Sequence, residues 1–179
     1  VAKDLTYAGK PYLFKVEMKD NGISESNISK PQIRVTNTGS QAILGFKLRL
    51  WFSRAEYFSQ QVVADKYYVN PSGITLSQGV HPTTANIVYV EVDYPADFQL
   101  APGAKTADDG VQLGVHFNNY YPGQWTKSND WSWQGITGTF SETKYVTVYD
   151  MNGNLLYGYE PNASSTPQPP SLTIADIFG

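Results

Sequence analysis

The chain has no cysteine, which excludes disulfide bonds, thiolate metal sites and cysteine nucleophiles. Charge is also scarce: charged residues make up 16 %, the net charge is −3, and no basic run is present. A nucleic-acid-binding surface needs concentrated positive charge, so that class of function is disfavoured. No apolar stretch approaches the ~20 residues that span a bilayer. Function must therefore rest on neutral, polar and aromatic side chains.

Aromatic residues are abundant. Of the 179 residues, 14 % are aromatic, 13 are tyrosine, and 41 % are apolar. A chain of this length can bury a sizeable core as one ordinary domain. The balance of few charges and many tyrosines is typical of a sheet protein whose polar faces carry Thr, Ser, Asn, Gln and Tyr.

Strands are predicted wherever apolar and polar residues alternate with a period of two. Asn152-Gly153 lies between the last two such segments and indicates a tight hairpin, because both residues tolerate positive φ. No segment shows an apolar stripe with helical spacing. The sequence therefore predicts an all-β jelly-roll sandwich of antiparallel strands. The alternating segments are Pro11–Asp20, Gln32–Thr36, Phe46–Ser53, Ile87–Tyr94, Val111–Asn118, Lys144–Tyr149 and Leu155–Tyr159.

The composition changes near the C-terminus. Residues 161–171 form a Pro/Ser/Thr-rich run that cannot bury apolar surface and is typical of a linker. Residues 172–179 are apolar but too few to fold alone. We expect a β-sandwich module over residues 1–160, followed by this linker and a short apolar tail that is either part of a neighbouring unit or docks on a groove.

Four segments in order resemble the family 3 carbohydrate-binding modules of cellulases and cellulosomal scaffoldins. They are "KPQIRVTNTGSQAILGFKLRLWFS" (Lys30–Ser53), "YPADFQLAPGAKTADDGVQLGVHF" (Tyr94–Phe117), "WTKSNDWSW" (Trp125–Trp133) and "VTVYDMNGNLLYGYEP" (Val146–Pro161). The resemblance implies about nine antiparallel strands, binding of cellulose or a related β-glucan, one structural Ca²⁺ and an extracellular bacterial location. Within the first segment, "VTNTGS" also predicts a hairpin turn, with Asn37 and Gly39 at positions that tolerate unusual φ.

The resemblance also implies a set of calcium ligands. Ser53, Thr126, Asn129 and Asp130 stand at the family's ligand positions. Ala55 replaces the aspartate that the family has in the partner loop. Either the neighbouring Glu56 takes its place as a ligand, or the ion is lost and Asn129 and Asp130 only cap a turn. Calcium takes six to eight oxygen ligands, which these side chains and nearby carbonyl groups would supply.

The family's sugar-binding strip is matched only in part. Asp65 is kept, but Lys66 stands where the family has a histidine and His116 where it has an arginine. Pro122 occupies the place of the family's tryptophan. These substitutions favour an alternative in which the module has lost sugar binding and serves as a structural or protein-docking unit.

Other aromatic side chains lie near the strip. Sugar rings present apolar C–H faces that stack on aromatic rings, and Tyr and Trp suit such half-wet surfaces. We expect the loop Asn118–Trp125 to replace the missing tryptophan, although packing of this loop is an equally good interpretation; Trp131 and Trp133 are expected to be packed. The candidate rings are Tyr67, Tyr68, Tyr120, Tyr121 and Trp125.

A second polar face is predicted from strand parity, and in the family the corresponding region is a shallow groove. It is either a groove for a polysaccharide chain or for the Pro-rich linker, or plain cation–π packing. The residues are Gln32, Arg34, Arg49, Trp51, Tyr157 and Glu160.

Catalysis has little support in the sequence. Glycoside hydrolysis needs two carboxylates that face one sugar. Glu91 and Asp93 share a strand face, about 7 Å apart by strand rise, and would be the pair of a small jelly-roll glycosidase. The favoured interpretation is a non-catalytic module that binds plant cell-wall polysaccharide and targets an attached enzyme, scaffold or sensor.

Overall fold

The computed structural model describes residues 6–7, 10–11, 14–57, 60–69, 72–106, 110–119 and 125–161. Twelve strands are described, with short 3-10 turns at Ala55–Tyr57, Lys127–Asn129 and Trp131–Trp133. The strands are β1 Thr6–Tyr7, β2 Lys10–Pro11, β3 Phe14–Asp20, β4 Pro31–Asn37, β5 Ile43–Ser53, β6 Val62–Tyr68, β7 Thr75–Val80, β8 Ile87–Leu100, β9 Val111–Phe117, β10 Ser141–Glu142, β11 Val146–Tyr149 and β12 Leu155–Tyr157.

Two five-stranded antiparallel sheets form the sandwich. The first sheet has the order β10-β3-β4-β9-β6, and the second has the order β12-β11-β5-β8-β7. β1 and β2 pair only with each other. The predicted all-β jelly-roll class is confirmed. β1, β2 and β10 have two residues each, so nine of the described strands are longer than that.

The core lies between the sheets because each sheet turns alternate side chains inward. On β5, Phe46, Leu48 and Leu50 are fully buried, while Lys47 and Arg49 between them face outward and stay half-buried. The first sheet contributes residues such as Val16 from β3 in the same way. The period of two in the sequence therefore identified both faces of these strands correctly.

The turn after β4 is not a hairpin, which corrects the prediction for "VTNTGS". β4 pairs with β3 and β9, whereas β5 pairs with β11 and β8, so the turn carries the chain from one sheet to the other. Asn37 is fully buried there. Its side-chain amide donates to the carbonyl oxygens of Gln41 and Leu100, and its Oδ1 accepts the Gly39 N–H. The Asn152-Gly153 hairpin between β11 and β12 is confirmed, with Gly153 at φ 86°.

The edge strands β6 and β7 were not predicted from the sequence. β6 closes one edge of the first sheet and β7 closes the neighbouring edge of the second sheet. Most of their side chains are exposed or half-buried on both faces, so the apolar–polar alternation that marks a half-buried strand is missing. Within the described residues, no helix is long and apolar enough to cross a membrane.

Candidate functional site

A β-bulge on β6 places two consecutive tyrosines on the outer face of the first sheet. Lys66 pairs with Leu113 and Tyr68 pairs with Gln112, so Tyr67 is an extra residue in the strand. Gln112 faces outward, since its neighbours Val111 and Leu113 lie in the core. A bulge re-aims a side chain that strict alternation would send to the other face. We call Asp65, Tyr67 and Tyr68 the tyrosine platform.

The Tyr67 ring lies against the sheet over Gly114 of β9, the residue that pairs with Asp65. A Cβ atom placed on Gly114 would sit 2.4 Å from both Cζ and Oη of Tyr67. The ring therefore occupies the space that any other residue at position 114 would fill. Tyr67 is 51 % exposed and Tyr68 is 44 % exposed. Lys30, with Nζ 6.0 Å from the Tyr67 ring centroid, borders the ring.

Asp65 stands beside the rings and is held by His116. The Asp65 carboxylate is about half exposed, and its Oδ2 lies 2.8 Å from Nε2 of His116. Nδ1 of His116 lies 2.6 Å from the Phe117 carbonyl oxygen. Each ring nitrogen of His116 thus lies within hydrogen-bonding distance of an oxygen, which fixes the orientation of the ring. His116 is buried, so its side chain positions Asp65 and is not itself part of the exposed surface, which corrects its assignment to the binding strip.

Lys66 does not belong to this face, which corrects its assignment to the binding strip. Its partner across the strand is the core residue Leu113, so the Lys66 side chain leaves the strand on the opposite side from Gly114. Its ammonium group donates to the Ile74 carbonyl oxygen at 2.9 Å. The lysine therefore ties β6 to the segment before β7.

Trp125 is a core residue, and the prediction that it is an exposed sugar-binding ring is wrong. It is only 4 % exposed. Its ring contacts Phe117 and Phe52, with centroids 4.8 and 5.7 Å away, and its Nε1 donates to Asp130 at 2.9 Å. Tyr120, Tyr121 and Pro122 lie outside the described residues, so the proposed contribution of their loop stays a prediction.

The predicted groove residues do not form one face. Gln32 and Arg34 lie on β4, on the same outer face as the tyrosine platform. Gln32 is buried and accepts a hydrogen bond from Asn21. Arg34 bonds Glu17 on β3 at 3.0 Å and covers the Phe140 ring at 4.0 Å. The hydrogen bond from Arg34, followed by its positive charge, holds the pKa of Glu17 below its usual range, even though burial raises it.

Arg49 and Trp51 lie on β5 of the second sheet, on the opposite outer side of the sandwich, whereas Tyr157 on β12 faces the core between the sheets. The Arg49 guanidinium sits 4.2 Å from the Tyr89 ring centroid and 4.5 Å from that of Tyr149, and it bonds Glu91 at 2.7 Å. Arg49 therefore occupies the ring surfaces that a sugar would need. This geometry favours the cation–π interpretation over a polysaccharide groove.

Trp51 faces outward by parity, yet it is fully buried. The rings of Tyr89 and His81 lie against it, and Trp131 belongs to the same apolar cluster. Tyr157 is buried as well, and its hydroxyl donates to the Thr143 carbonyl oxygen. Glu160 is half-buried at the end of the described chain. The predicted burial of Trp131 and Trp133 is confirmed.

Glu91 and Asp93 are held by cations rather than presented to a substrate. Glu91 is 7 % exposed and is bonded by Arg49, and Lys47 lies 3.6 Å from Glu91 and 3.8 Å from Asp93. A glycosidase acid needs a raised pKa and access to the glycosidic oxygen. Glu91 is nearly inaccessible and both carboxylates are paired with Arg49 or Lys47, so the pair is not arranged to face one sugar.

The predicted calcium ligands come together, but the carboxylate oxygens of Asp130 and Glu56 already accept hydrogen bonds. Asp130 is buried and accepts the Ser53 N–H at 2.7 Å and the Trp125 Nε1–H at 2.9 Å. Glu56 accepts the Thr126 N–H and the Asn129 side-chain amide, both at 3.0 Å. Burial raises the pKa of Asp130 well above its usual value, against the lowering effect of the Ser53 hydrogen bond.

These contacts do not fit a resident calcium ion. Six to eight oxygen ligands are needed, and Ala55 supplies none from its side chain where the family has aspartate. Among the described residues, no three His, Asp or Glu side chains form a metal-binding group. Glu56 links the two loops directly instead. Calcium binding remains a prediction from the family resemblance, and the proposed function does not depend on it.

The described face defines a class of protein. Exposed tyrosines that lie on a rigid sheet, beside a carboxylate fixed by hydrogen bonding, form a surface for an extended ligand. This is the arrangement of a non-catalytic β-sandwich binding module. The chain belongs to the cellulose binding domain family, whose model matches residues 15–158.

Relatives of known name are much longer than this chain. It is 28 % identical over 156 residues to the beta-mannanase/endoglucanase A of Caldicellulosiruptor saccharolyticus, covering 83 % of this chain and 11 % of that protein. It is 29 % identical over 174 residues to the cellulosomal-scaffolding protein A of Acetivibrio thermocellus, covering 89 % and 9 %. The chain thus spans about a tenth of the length of each of these curated relatives.

Solved structures share the fold. A biomass sensing module of Clostridium thermocellum that resembles family 3 carbohydrate-binding modules matches with a TM-score of 0.67 and 20 % identity, covering 83 % of this chain and 98 % of that one. The family 3b module of cellobiohydrolase 9A from the same organism matches with a TM-score of 0.65 and 22 % identity, covering 83 % and 97 %. The sandwich fold is therefore that of the family.

The residues that sequence reasoning missed are Gly114 and Lys30. A glycine inside an otherwise regular strand indicates a close approach by another group. That signal was present in "VQLGVHF", but it does not say which ring approaches. Lys30 carried no signal, since only the sheet order brings it beside Tyr67.

Proposed function

We propose that the tyrosine platform binds cellulose or a related β-glucan on the outer face of the first sheet. The observation that carries the proposal is the Tyr67 ring lying over Gly114, exposed and next to Tyr68 and Asp65. A ring that lies on a sheet offers its face to solvent, and sugar C–H faces stack on such surfaces.

The polar groups around the rings suit a neutral, hydroxyl-rich ligand. Asp65 accepts hydrogen bonds from sugar hydroxyls, and its position is fixed before binding by His116. The Lys30 ammonium, which is paired with Glu25 at 2.5 Å, lies over the Tyr67 ring at 6.0 Å and adds further donor N–H groups. Groups that are already oriented lose less conformational entropy on binding. A short platform at a sheet edge supports contact with one or a few chains of the polysaccharide.

The platform also supports a targeting role. The relatives named above are multifunctional or scaffolding proteins in which this module covers only a small part. The Pro/Ser/Thr-rich composition of residues 161–171 is that of a linker. In this proposal the module works outside the cell and holds a covalently attached neighbour close to plant cell-wall polysaccharide.

Retention on insoluble cellulose tests the proposal. We expect the wild-type protein to be retained and the double variant Tyr67→Ala/Tyr68→Ala to be washed away. Leu44→Ala is the control, because Leu44 is an equally exposed apolar residue on the second sheet, 60 % exposed. Retention of the double variant at the wild-type level would refute the platform. Failure of the wild-type protein to bind insoluble cellulose, xylan or chitin would instead favour the docking alternative.

A further inference from the structure

A polar cavity lies at the sandwich edge, where β6 of the first sheet comes close to β7 of the second. Its volume is about 280 Å³. Gln60 and Gln61 line it from the start of β6, and Gln78 and Val80 line it from β7. Val62, at the start of β6, is five residues from Tyr67, which is roughly 16 Å at the usual strand rise. The cavity is therefore separate from the tyrosine platform.

The polar side chains that line this cavity are three glutamine amides, the Tyr89 phenol and one charged group, the Arg54 guanidinium. The amides of Gln61 and Gln78 make no side-chain hydrogen bond to another described residue, and Gln60 makes only a long one, 3.4 Å from Asn119. A primary amide offers two donors and one acceptor oxygen, which matches the donor and acceptor character of a hydroxyl group. Among the described residues that line the cavity, none is acidic.

Tyr89 closes one side of the cavity, again through a glycine. A Cβ atom on Gly79 would lie 2.3 Å from Cζ and Oη of Tyr89, so the hydroxyl end of the ring reaches over β7. Arg54 lines the cavity with its Nε fixed on the Ala85 carbonyl oxygen at 2.9 Å. Val80 is an apolar wall that is 46 % exposed. Amides, a phenol and an apolar wall together suit a sugar, which carries hydroxyls around an apolar ring face.

We propose that this cavity binds the end of a soluble, neutral oligosaccharide. Its volume falls just below the ~300–1,000 Å³ of drug-sized ligand sites, so it fits one or two sugar rings rather than a chain that runs through. No acidic side chain is among the described lining residues, which disfavours a cationic ligand, and the Gln61 and Gln78 amides suit the hydroxyl groups of an uncharged polyol. The proposal shares only its ligand class with the tyrosine platform and does not depend on platform binding.

Side-chain amide resonances test the proposal directly. Cellotetraose, xylotetraose and mannotetraose are titrated into ¹⁵N-labelled protein, and the NH₂ signals of Gln60, Gln61 and Gln78 are followed. We expect at least one of these sugars to shift those signals in a saturable manner. Loss of one amide partner should weaken binding about two- to tenfold in Gln78→Leu. The double variant Gln61→Leu/Gln78→Leu should show no saturable shift.

Two controls separate this site from the platform. Gln99→Leu makes the same chemical change at an exposed position of β8 away from the cavity and should leave the titration unchanged. Tyr67→Ala/Tyr68→Ala should keep the tetraose shifts at the cavity, whereas Gln61→Leu/Gln78→Leu should keep retention on insoluble cellulose. The proposal is overturned if none of the sugars shifts the three glutamine signals, or if the double glutamine variant binds as tightly as the wild type.

Discussion

Replacing Gly114 by alanine should remove cellulose binding without touching any residue that contacts the ligand. The new Cβ would lie 2.4 Å from two atoms of the Tyr67 ring, well inside van der Waals contact, so the ring must leave its place on the sheet. Gly114 has no positive φ that alanine would resist. Alanine in a regular strand recovers about 0.5–1 kcal/mol of the conformational entropy that glycine loses on folding.

The size of the effect follows from the exposed ring. An aromatic side chain buries roughly 150–250 Å² when fully covered, and Tyr67 keeps 51 % of its surface exposed, which leaves about 100 Å². Covering half to all of that area is worth about 1–2.5 kcal/mol at ~25 cal/mol per Å². We therefore expect Gly114→Ala to weaken binding to cellulose by about five- to sixtyfold, with a change in unfolding free energy of no more than ~1 kcal/mol.

A double-mutant cycle checks that the effect runs through Tyr67. Depletion isotherms on insoluble cellulose are compared for wild type, Gly114→Ala, Tyr67→Ala and the double variant. In the Tyr67→Ala background, Gly114→Ala should cause no further loss of affinity for cellulose. Gly79→Ala is the matched control, because it displaces Tyr89 on the other sheet by the same clash. Wild-type binding by Gly114→Ala, or an equal loss in the Tyr67→Ala background, would refute the reasoning.

Three further predictions concern stability. Trp125→Ala should lower the unfolding free energy in urea by about 3–5 kcal/mol, as for other large core truncations; a variant of wild-type stability that loses cellulose binding would instead restore Trp125 as a contact residue. Calcium after treatment with a chelator should leave the melting temperature unchanged, whereas a site filled at 100-fold over its Kd would raise it by about 5–10 °C. Because the folded-state pKa of Glu17 is lowered, its bond to Arg34 stabilises the fold above the unfolded pKa of ~4.3 and is lost as the pH falls through the folded value. Arg34→Gln should therefore cost about 1–2 kcal/mol at pH 7 and progressively less in acid; a penalty that does not change with pH would contradict this.

The strands that build the core could be predicted because one face of each is buried along its whole length. On β5 the alternation around Leu48 and Leu50 identifies the inward face without further information. β6 could not be found in this way, since Asp65 and the tyrosines after it face solvent and an edge strand needs no apolar face. Its bulge depends on the pairing with β9, which local sequence does not encode.

The site was predicted in part for the same reason. Asp65, Tyr67 and Tyr68 were predicted as exposed neighbours and the structure places them together at the surface, but Trp125 was predicted to be exposed and is buried. Its loop is polar, while the rings that cover it, Phe52 and Phe117, are distant in sequence. For Trp51 the direction of the side chain was predicted correctly but its exposure was not. Strand alternation places it on the outer face of β5, where residues from other segments cover it.

The extra residue at Tyr67 has a consequence for how this surface can change. In a regular strand, consecutive side chains point to opposite faces of the sheet, so a flat ligand contacts only every second residue. In β6 two consecutive tyrosines lie on the same face of the sheet. The number of aromatic rings on that face therefore depends on the extra residue in the strand as well as on which side chains are present. Shortening β6 by one residue would restore the ordinary pleat and direct one tyrosine inward, a larger loss than trimming either ring.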